Sequence, residues 1–423
     1  HKAHLIYALE KDGTTLVVTD DEANAKKLCY DINEMAGQSL AFAFPSKEFT
    51  LTNVEGVSRE YENIRLATLS KICTGECKFL IASIEAVLQL TIPKNVLIDS
   101  TITLKQGEEV QIHELTRKLV ECGYSFSETV EGTSQFSVRG AIVDIFPVQS
   151  DFPYRLEFWG DEIDSISAFD IESQRRTDSS ESIRITPALE TIIDREMLAD
   201  KIESFAKGIR SKRATIVKEK LNSDASRLRD KLTLNNIDKY IPLAYDKPAT
   251  VFDYINETVI FNEYSSISEK AKSIIAQNNE DIKILLEEGE LCKGLDGYYL
   301  DTTQFLSLTE KYPQVYLDTF MHGSNRVSFQ KLINFEALQT ASWGGEIRQL
   351  IEDLNSFCSR DYRVILFAGS EKTLPILAND LRESGISCDI ANENSVPETC
   401  RVLLMAGSLS GGYEYPEIKT ALI

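Results

Sequence analysis

Short apolar runs, each followed by a helical pattern, open the chain. Residues 14–20 form a β-branched apolar run, and residues 20–28 show the spacing of an amphipathic helix with acidic residues in its first turn. The same unit recurs at residues 78–83 and 84–90, where Ser83 is placed as a helix N-cap. Repeated strand-to-helix units of this kind predict a parallel α/β sheet.

The pattern changes between residues 103 and 181 to short strands separated by Gly, Pro and Asp. Apolar and polar positions alternate in these strands, which is the period of a half-buried sheet. The predicted strands are 136–139, 141–146, 154–159 and 162–169. This segment is therefore predicted to be a mainly antiparallel α+β domain inserted into the first one.

The remaining chain returns to helices and α/β units. Residues 190–238 are helical and charged, and a strand at 258–261 is followed by a helix at 266–276, with capping-box spacing between Ser266 and Glu269. The last hundred residues repeat helix and strand after a boundary near residues 323–325, which predicts a small separate α/β domain. The predicted segments are 1–102 and 186–322 for the first domain, 103–185 for the inserted domain and 323–423 for the third.

The chain is acidic, with a formal net charge of -21 over 423 residues. A surface that grips nucleic acid by neutralising phosphates needs clustered Lys and Arg. This balance therefore disfavours DNA binding as the main task of the chain.

Eight cysteines are scattered without a Cys-x-x-Cys pair, and the four histidines form no zinc-ligand pattern inside the chain. Cysteines in apolar stretches are typical of a reduced, cytoplasmic protein. No apolar run reaches the roughly 20 residues that cross a bilayer. We therefore expect no metal and no membrane as binding partners.

One sheet surface stands out in the inserted segment. Strand periodicity places Arg155, Glu157 and Trp159 on one face of their strand, and Arg139 on the corresponding face of a neighbouring strand. Arg and Trp dominate interface hot spots, so one interpretation is an exposed docking surface. The alternative is that Trp159 is buried under a loop and that both arginines pair with nearby acids such as Asp144, Glu157 or Asp161.

Three motifs in this segment resemble a known family at the family's spacing. They lie at residues 139–147 (RGAIVDIFP), 154–161 (YRLEFWGD) and 169–174 (FDIESQ). The segment resembles the domain shared by UvrB and the bacterial transcription-repair coupling factors. The segment at 42–49 is short and has no tyrosine cluster, unlike the DNA-clamping hairpin of UvrB, so the coupling factors are the better match.

The resemblance implies a function for the sheet surface. In this family the corresponding surface docks UvrA, and the implied positions are Arg139, Arg155 and Trp159, with tryptophan where the family usually has phenylalanine. It also implies that the first domain is a degenerate helicase-like domain. RNA polymerase, DNA, ATP and Mg²⁺ would bind to later domains that this sequence does not include, and a C-terminal domain would cover the docking surface.

A nucleotide site of the UvrB type would need a lysine and a hydroxyl in its phosphate loop and a carboxylate in its Walker B strand. If the first residues align with such a loop, Lys2 keeps the charge, but Ala3 lacks the hydroxyl. In the Walker B position Asn262 precedes Glu263, and an amide is a poor magnesium ligand. The expectation is a chain without ATPase activity, catalytic residues or cofactor, in which Lys2 and Glu263 are ordinary helix-surface and strand-end residues.

Two other functions stay open on the sequence. The first is a divergent UvrB-type helicase subunit that binds ATP and clamps damaged DNA, and retained ATP binding would favour it. The second is a scaffold whose Arg and Trp surface binds a different partner, which a binding comparison with UvrA would separate. The third domain shows no candidate site.

Overall fold

The computed structural model describes residues 1–49, 51–52, 58–210, 213–230, 232, 234–320, 328–340, 346–392 and 395–423. The helices are α1 (Lys2–Tyr7), α2 (Glu22–Ala36), α3 (Glu60–Thr74), α4 (Ile84–Leu88), α5 (Lys94–Asp99), α6 (Ile112–Glu121), α7 (Arg195–Gly208), α8 (Ala214–Arg229), α9 (Ile241–Ala244), α10 (Tyr264–Glu288), α11 (Thr302–Thr309), α12 (Ile347–Ser359) and α13 (Leu374–Glu383).

The strands of the first half are β1 (Thr15–Thr19), β2 (Ala41–Phe44), β3 (Phe79–Ser83), β4 (Ile102–Lys105), β5 (Ser125–Phe126), β6 (Gln135–Arg139), β7 (Ile142–Ile145), β8 (Tyr154–Trp159), β9 (Glu162–Phe169), β10 (Arg176–Ser180) and β11 (Ser182–Ile185). Those of the second half are β12 (Val259–Asn262), β13 (Gln314–Leu317), β14 (Leu338–Gln339), β15 (Arg363–Phe367), β16 (Cys388–Ile390), β17 (Val402–Met405), β18 (Tyr413–Tyr415) and β19 (Thr420–Leu422).

The described residues group into two compact units. One unit comprises Lys11–Glu22 and Phe42–Tyr316, and the other comprises His1–Glu10, Ala23–Ala41 and Leu317–Ile423. The predicted segment 1–102 thus contributes residues to both units. The predicted boundary between residues 322 and 323 lies outside the described residues.

A parallel sheet with the strand order β13-β12-β1-β3-β2 lies in the larger unit. The central strand β1 pairs in parallel with β3 and β12, and all five of its residues are buried. Strands covered on both faces need continuous apolar runs, which explains the run at residues 14–20. The prediction of a parallel α/β sheet is confirmed. Ser83 caps α4 as predicted, since its side chain accepts a hydrogen bond from the Ala86 backbone N–H.

The segment between β4 and β11 forms a second sheet with the strand order β10-β9-β8-β7-β6-β5. β6 to β10 are antiparallel, as predicted, while the short β5 pairs in parallel with β6. One face is apolar and contains Val143, Leu156 and Phe158, which are at most 6% exposed. β4 and β11 pair antiparallel where the chain enters and leaves this inserted sheet.

Two tight turns connect the strands that carry the predicted docking residues. Gly140 begins the two-residue turn between Arg139 and Ile142, and Gly160 begins the turn between Trp159 and Glu162. Both glycines have positive φ, 62° and 64°. A positive φ at the first turn position is typical of a type II′ hairpin, and a residue with a Cβ adopts it only with strain.

A cluster of buried charges lies in the larger unit beside the parallel sheet. The buried ion cluster consists of Lys47, Glu62, Arg65, Glu190 and Asp238, with side chains at most 6% exposed. The Lys47 Nζ lies 3.2–3.4 Å from Asp238, Glu190 and Glu62, and the Arg65 Nε donates to Glu190 at 2.5 Å. The cluster ties the first segment of the chain to the residues that follow the inserted sheet.

The smaller unit contains a mixed sheet with the order β14-β18-β19-β15-β17-β16. β15 pairs in parallel with β17 and β19, and β16 pairs in parallel with β17. The repetition of helix and strand predicted for the last hundred residues is present as α12, β15, α13, β16, β17 and β19. β14 and β18 add an antiparallel edge that the pattern did not predict.

One local prediction is wrong. The spacing of Ser266 and Glu269 predicted a helix start at Ser266, but α10 begins at Tyr264 and its N-cap is Glu263, so Ser266 lies inside the first turn. In the part of the chain that the structure describes, no helix is long and apolar enough to cross a membrane.

Candidate functional site

The polar face of the inserted sheet brings the three predicted docking residues onto neighbouring strands. The register pairs Asp144 of β7 with Ser137 of β6 and with Arg155 of β8, so these side chains share one face. Alternation along β8 adds Glu157 and Trp159 to the same face. Arg139 ends β6 beside its turn. We call Arg139, Asp144, Arg155, Glu157 and Trp159 the polar sheet face.

The Asp144 carboxylate lies at the centre of the polar sheet face and is 1% exposed. Its Oδ1 accepts a hydrogen bond from Arg155 Nε at 2.7 Å, and its Oδ2 accepts from Arg155 Nη2 at 2.9 Å. The same Oδ2 also accepts from Arg139 Nη2 at 2.6 Å. A single buried carboxylate therefore holds both arginines.

Arg155 is held from several sides. Its Nη1 donates to the Gln174 carbonyl oxygen at 3.3 Å, and its guanidinium lies 4.8 Å from the ring centre of Phe169. Phe169 belongs to a small apolar cluster with Val130 and Phe146. The hydrogen bond to Asp144 raises the pKa of Arg155. With its side chain 15% exposed, Arg155 is mostly covered in the free protein.

Arg139 and Trp159 are much more accessible. The Arg139 side chain is 48% exposed, and Trp159 is 83% exposed at the end of β8. Trp159 lies opposite Glu162 across the turn that Gly160 begins. An indole with this exposure has lost little contact with water, so its apolar surface is available for burial by a partner.

A third ion pair on this face, between Glu157 and Arg176, was not predicted from the sequence. Glu157 accepts from the Arg176 guanidinium and from the Ser165 hydroxyl, the latter at 3.0 Å. Arg176 lies on β10, on the far side of β9. The short, polar β10 gave no strand signal in the sequence, so its arginine had no predicted place.

The structure combines the two interpretations that the sequence left open. The arginines do pair with Asp144, as the alternative interpretation holds. Trp159 is not buried under a loop, contrary to that interpretation. The role of Arg139, Arg155 and Trp159 in binding a partner stays a prediction.

The predicted nucleotide residues lie in different parts of the chain. Lys2 and Ala3 are in α1 of the smaller unit, where Lys2 Nζ donates to the Leu317 carbonyl oxygen at 3.0 Å and Ala3 is buried. Asn262 ends β12 in the larger unit and is 8% exposed. Glu263 follows in a left-handed conformation, with a φ of 66°. Among the described residues, no group of three or more His, Cys, Asp or Glu is placed to hold a metal ion.

Comparison with known protein families gives a match to the inserted sheet. Residues 102–190 match the family described as the UvrB interaction domain. This match covers β4 to β11 and includes every residue of the polar sheet face.

The whole chain is similar to transcription-repair-coupling factors, which confirms the resemblance to their N-terminal region. It is 26% identical over 426 residues to the protein of Bacillus subtilis, covering 98% of this chain. It is 25% identical to that of Staphylococcus haemolyticus and 24% identical to that of Staphylococcus aureus, each over 96% of this chain. The chain spans 35–36% of the length of these relatives.

Proposed function

We propose that this chain docks the repair protein UvrA through the polar sheet face of its UvrB interaction domain. The observation that carries the proposal is Trp159, a large aromatic residue that is 83% exposed at the edge of a face with two ordered arginines. Tryptophan and arginine are the residue types that most often act as hot spots. The sequence resemblance, which implies that the corresponding face binds UvrA in this family, supports the proposal.

The geometry suits a partner with both apolar and charged groups. Trp159 offers an apolar surface that water covers in the free protein, and burying it provides the hydrophobic part of the binding energy. Arg139 offers a partly exposed guanidinium whose position Asp144 fixes. A side chain that is already ordered loses less conformational entropy on binding.

The test is the affinity of purified UvrA for this chain with and without the indole. We expect Trp159→Ala to weaken binding by at least about 30-fold, equivalent to roughly 2 kcal/mol, and to leave the free energy of unfolding nearly unchanged. Titration calorimetry with UvrA measures the first quantity, and urea unfolding measures the second.

Phe152→Ala is the matched control for this experiment. Phe152 is also an exposed aromatic residue, at 59%, but it precedes β8 and so lies at the other end of that strand from Trp159. We expect Phe152→Ala to bind UvrA like the parent chain. Equal affinity of the Trp159→Ala variant and the parent chain would refute docking through this face.

We further infer that this chain does not turn over nucleotide. Ala3 has no hydroxyl to bind Mg²⁺, and Asn262 is a neutral, buried amide at the end of β12.

In the full-length coupling factor, other domains would bind ATP, Mg²⁺, DNA and RNA polymerase and displace stalled polymerase in the cytoplasm. A C-terminal domain would cover the polar sheet face until UvrA is needed. Tight ATP binding by this chain would favour a UvrB-type helicase subunit instead.

A further inference from the structure

Arg139 and Arg155 differ in how much of each guanidinium is already engaged. All three guanidinium nitrogens of Arg155 donate hydrogen bonds: Nε and Nη2 donate to Asp144, and Nη1 donates to the Gln174 carbonyl oxygen. The Arg155 guanidinium also lies over the Phe169 ring. Arg139 donates from Nη2 alone, and its Nε and Nη1 have no hydrogen-bond partner among the described residues. The side chains are 15% and 48% exposed. Of these two arginines, Arg139 is the one with nitrogens that are not already hydrogen-bonded to described residues and with a half-exposed side chain.

We propose that Asp144 is a positioning residue that presents Arg139 to a carboxylate of the docked partner, and that Arg155 acts through Asp144 without touching the partner. This inference rests on the proposed docking function. It adds the chemistry of one partner contact and separates a contact residue from two residues that support it.

The hydrogen-bond pattern of Asp144 supports this division. Arg155 binds both carboxylate oxygens and so fixes the plane of the carboxylate, which turns Oδ2 towards Arg139. Arg139 ends β6 beside a two-residue turn, where a long side chain would otherwise sample many rotamers. The bond to Asp144 restrains this side chain, which is 48% exposed. A charge-assisted hydrogen bond to a carboxylate is the strong interaction that its other N–H groups can make.

A double-mutant cycle tests the coupling between Asp144 and Arg139. We expect Arg139→Ala to weaken UvrA binding by about tenfold, and Asp144→Asn to weaken it by about as much. If Asp144 acts through Arg139, the double variant is also weakened by about tenfold, because both changes remove the same contact. A product of the two effects, about a hundredfold, would overturn the proposal. A purely structural role of Asp144 would not make its effect on affinity depend on Arg139.

A second cycle covers the case in which Asp144→Asn does not fold. Arg155→Ala combined with Arg139→Ala leaves the buried carboxylate in place and should show the same lack of additivity.

The proposed contact between Arg139 and a carboxylate of the partner has its own readout, because salt screens an ion pair. We expect the affinity of the Arg139→Ala variant to depend less on salt than that of the parent chain, and an unchanged salt dependence would contradict a carboxylate partner.

Trp159→Ala separates the failure of this inference from the failure of the docking function. If Trp159→Ala leaves UvrA affinity unchanged, the docking function itself is refuted. If Trp159→Ala weakens binding while both cycles are additive, UvrA docks on this face and only the positioning role of Asp144 is wrong.

Discussion

Two groups of charged residues in the larger unit invite comparison, because both are centred on buried groups and only one reaches the surface. In the buried ion cluster, Lys47, Arg65 and Glu190 are at most 4% exposed, and both cations bind the Glu190 carboxylate. On the polar sheet face, Asp144 is equally buried, but Arg139 is half exposed and Trp159 lies almost fully in water. A buried charge thus serves the fold in the first group and supports an exposed residue in the second.

Protonation in the buried ion cluster follows from its partners. Burial alone would raise the pKa of Glu62, but Lys47 and Arg59 outweigh burial and lower it. Burial would likewise lower the pKa of Lys47, and Asp238, Glu190 and Glu62 together raise it. For Asp238 burial prevails and its pKa is raised. Perturbed titration is often a sign of a functional site, but here it accompanies complete ion pairing away from solvent, as in a structural network.

The largest expected effect comes from breaking the buried ion cluster. Glu190→Gln should lower the free energy of unfolding by about 3–5 kcal/mol, because Arg65 and Lys47 would lose a buried carboxylate. Urea unfolding measures this loss. UvrA affinity should stay within about twofold of that of the parent chain, since the proposed docking residues are untouched.

Glu172→Gln is the control, because Glu172 is an exposed glutamate of the inserted domain. It should leave both stability and affinity unchanged. If Glu190→Gln cost no more stability than Glu172→Gln, the cluster would not be the structural network described above.

A smaller effect separates the two arginines of the polar sheet face. Arg155→Ala should lower the free energy of unfolding by about 1–3 kcal/mol, because the Asp144 carboxylate would lose two hydrogen bonds while staying buried. Arg139→Ala should cost at most about 1 kcal/mol, since its pair is half exposed. Parallel urea titrations measure both, and equal losses would remove the distinction between a supporting and a contacting arginine.

The smallest expected effect is on the pH dependence of stability. The pKa of Glu62 is lowered below its ordinary value of 4.5, so the unfolded chain binds this proton first as the pH falls. The stability that Glu62 contributes is therefore present above pH 4.5 and is lost as the pH falls through the lower pKa of the folded state. This contribution to the free energy of unfolding changes by at most about 1.4 kcal/mol per pH unit.

Glu62→Gln isolates this contribution from the other carboxylates, including Asp238, whose raised pKa acts in the opposite direction. We expect the parent chain to be more stable than the variant near neutral pH, and the difference to shrink as the pH falls below 4.5. Urea unfolding at a series of pH values measures it. A difference that stays constant over the whole range would show that Glu62 does not titrate with a lowered pKa.

Local sequence determined much of the polar sheet face and its surroundings. The alternation of apolar and polar residues predicted β8 and β9 with their observed limits, because a half-buried strand needs that period. The Ser83 cap was equally predictable from its position before a helical pattern. The family resemblance rests on the same short motifs and indicated where to look for docking residues.

The tertiary structure alone decided which charges meet. Arg65 and Glu190 are 125 residues apart, and Lys47 and Asp238 are 191 apart, so no local pattern could pair them. The register of β6, β7 and β8 brought Arg139 and Arg155 to one carboxylate, and a one-residue slip would have turned it to the opposite face. The alternation of apolar and polar residues along β8 likewise did not determine the exposure of Trp159. Whether a residue on the polar face is buried depends on whether loops from distant parts of the chain cover it.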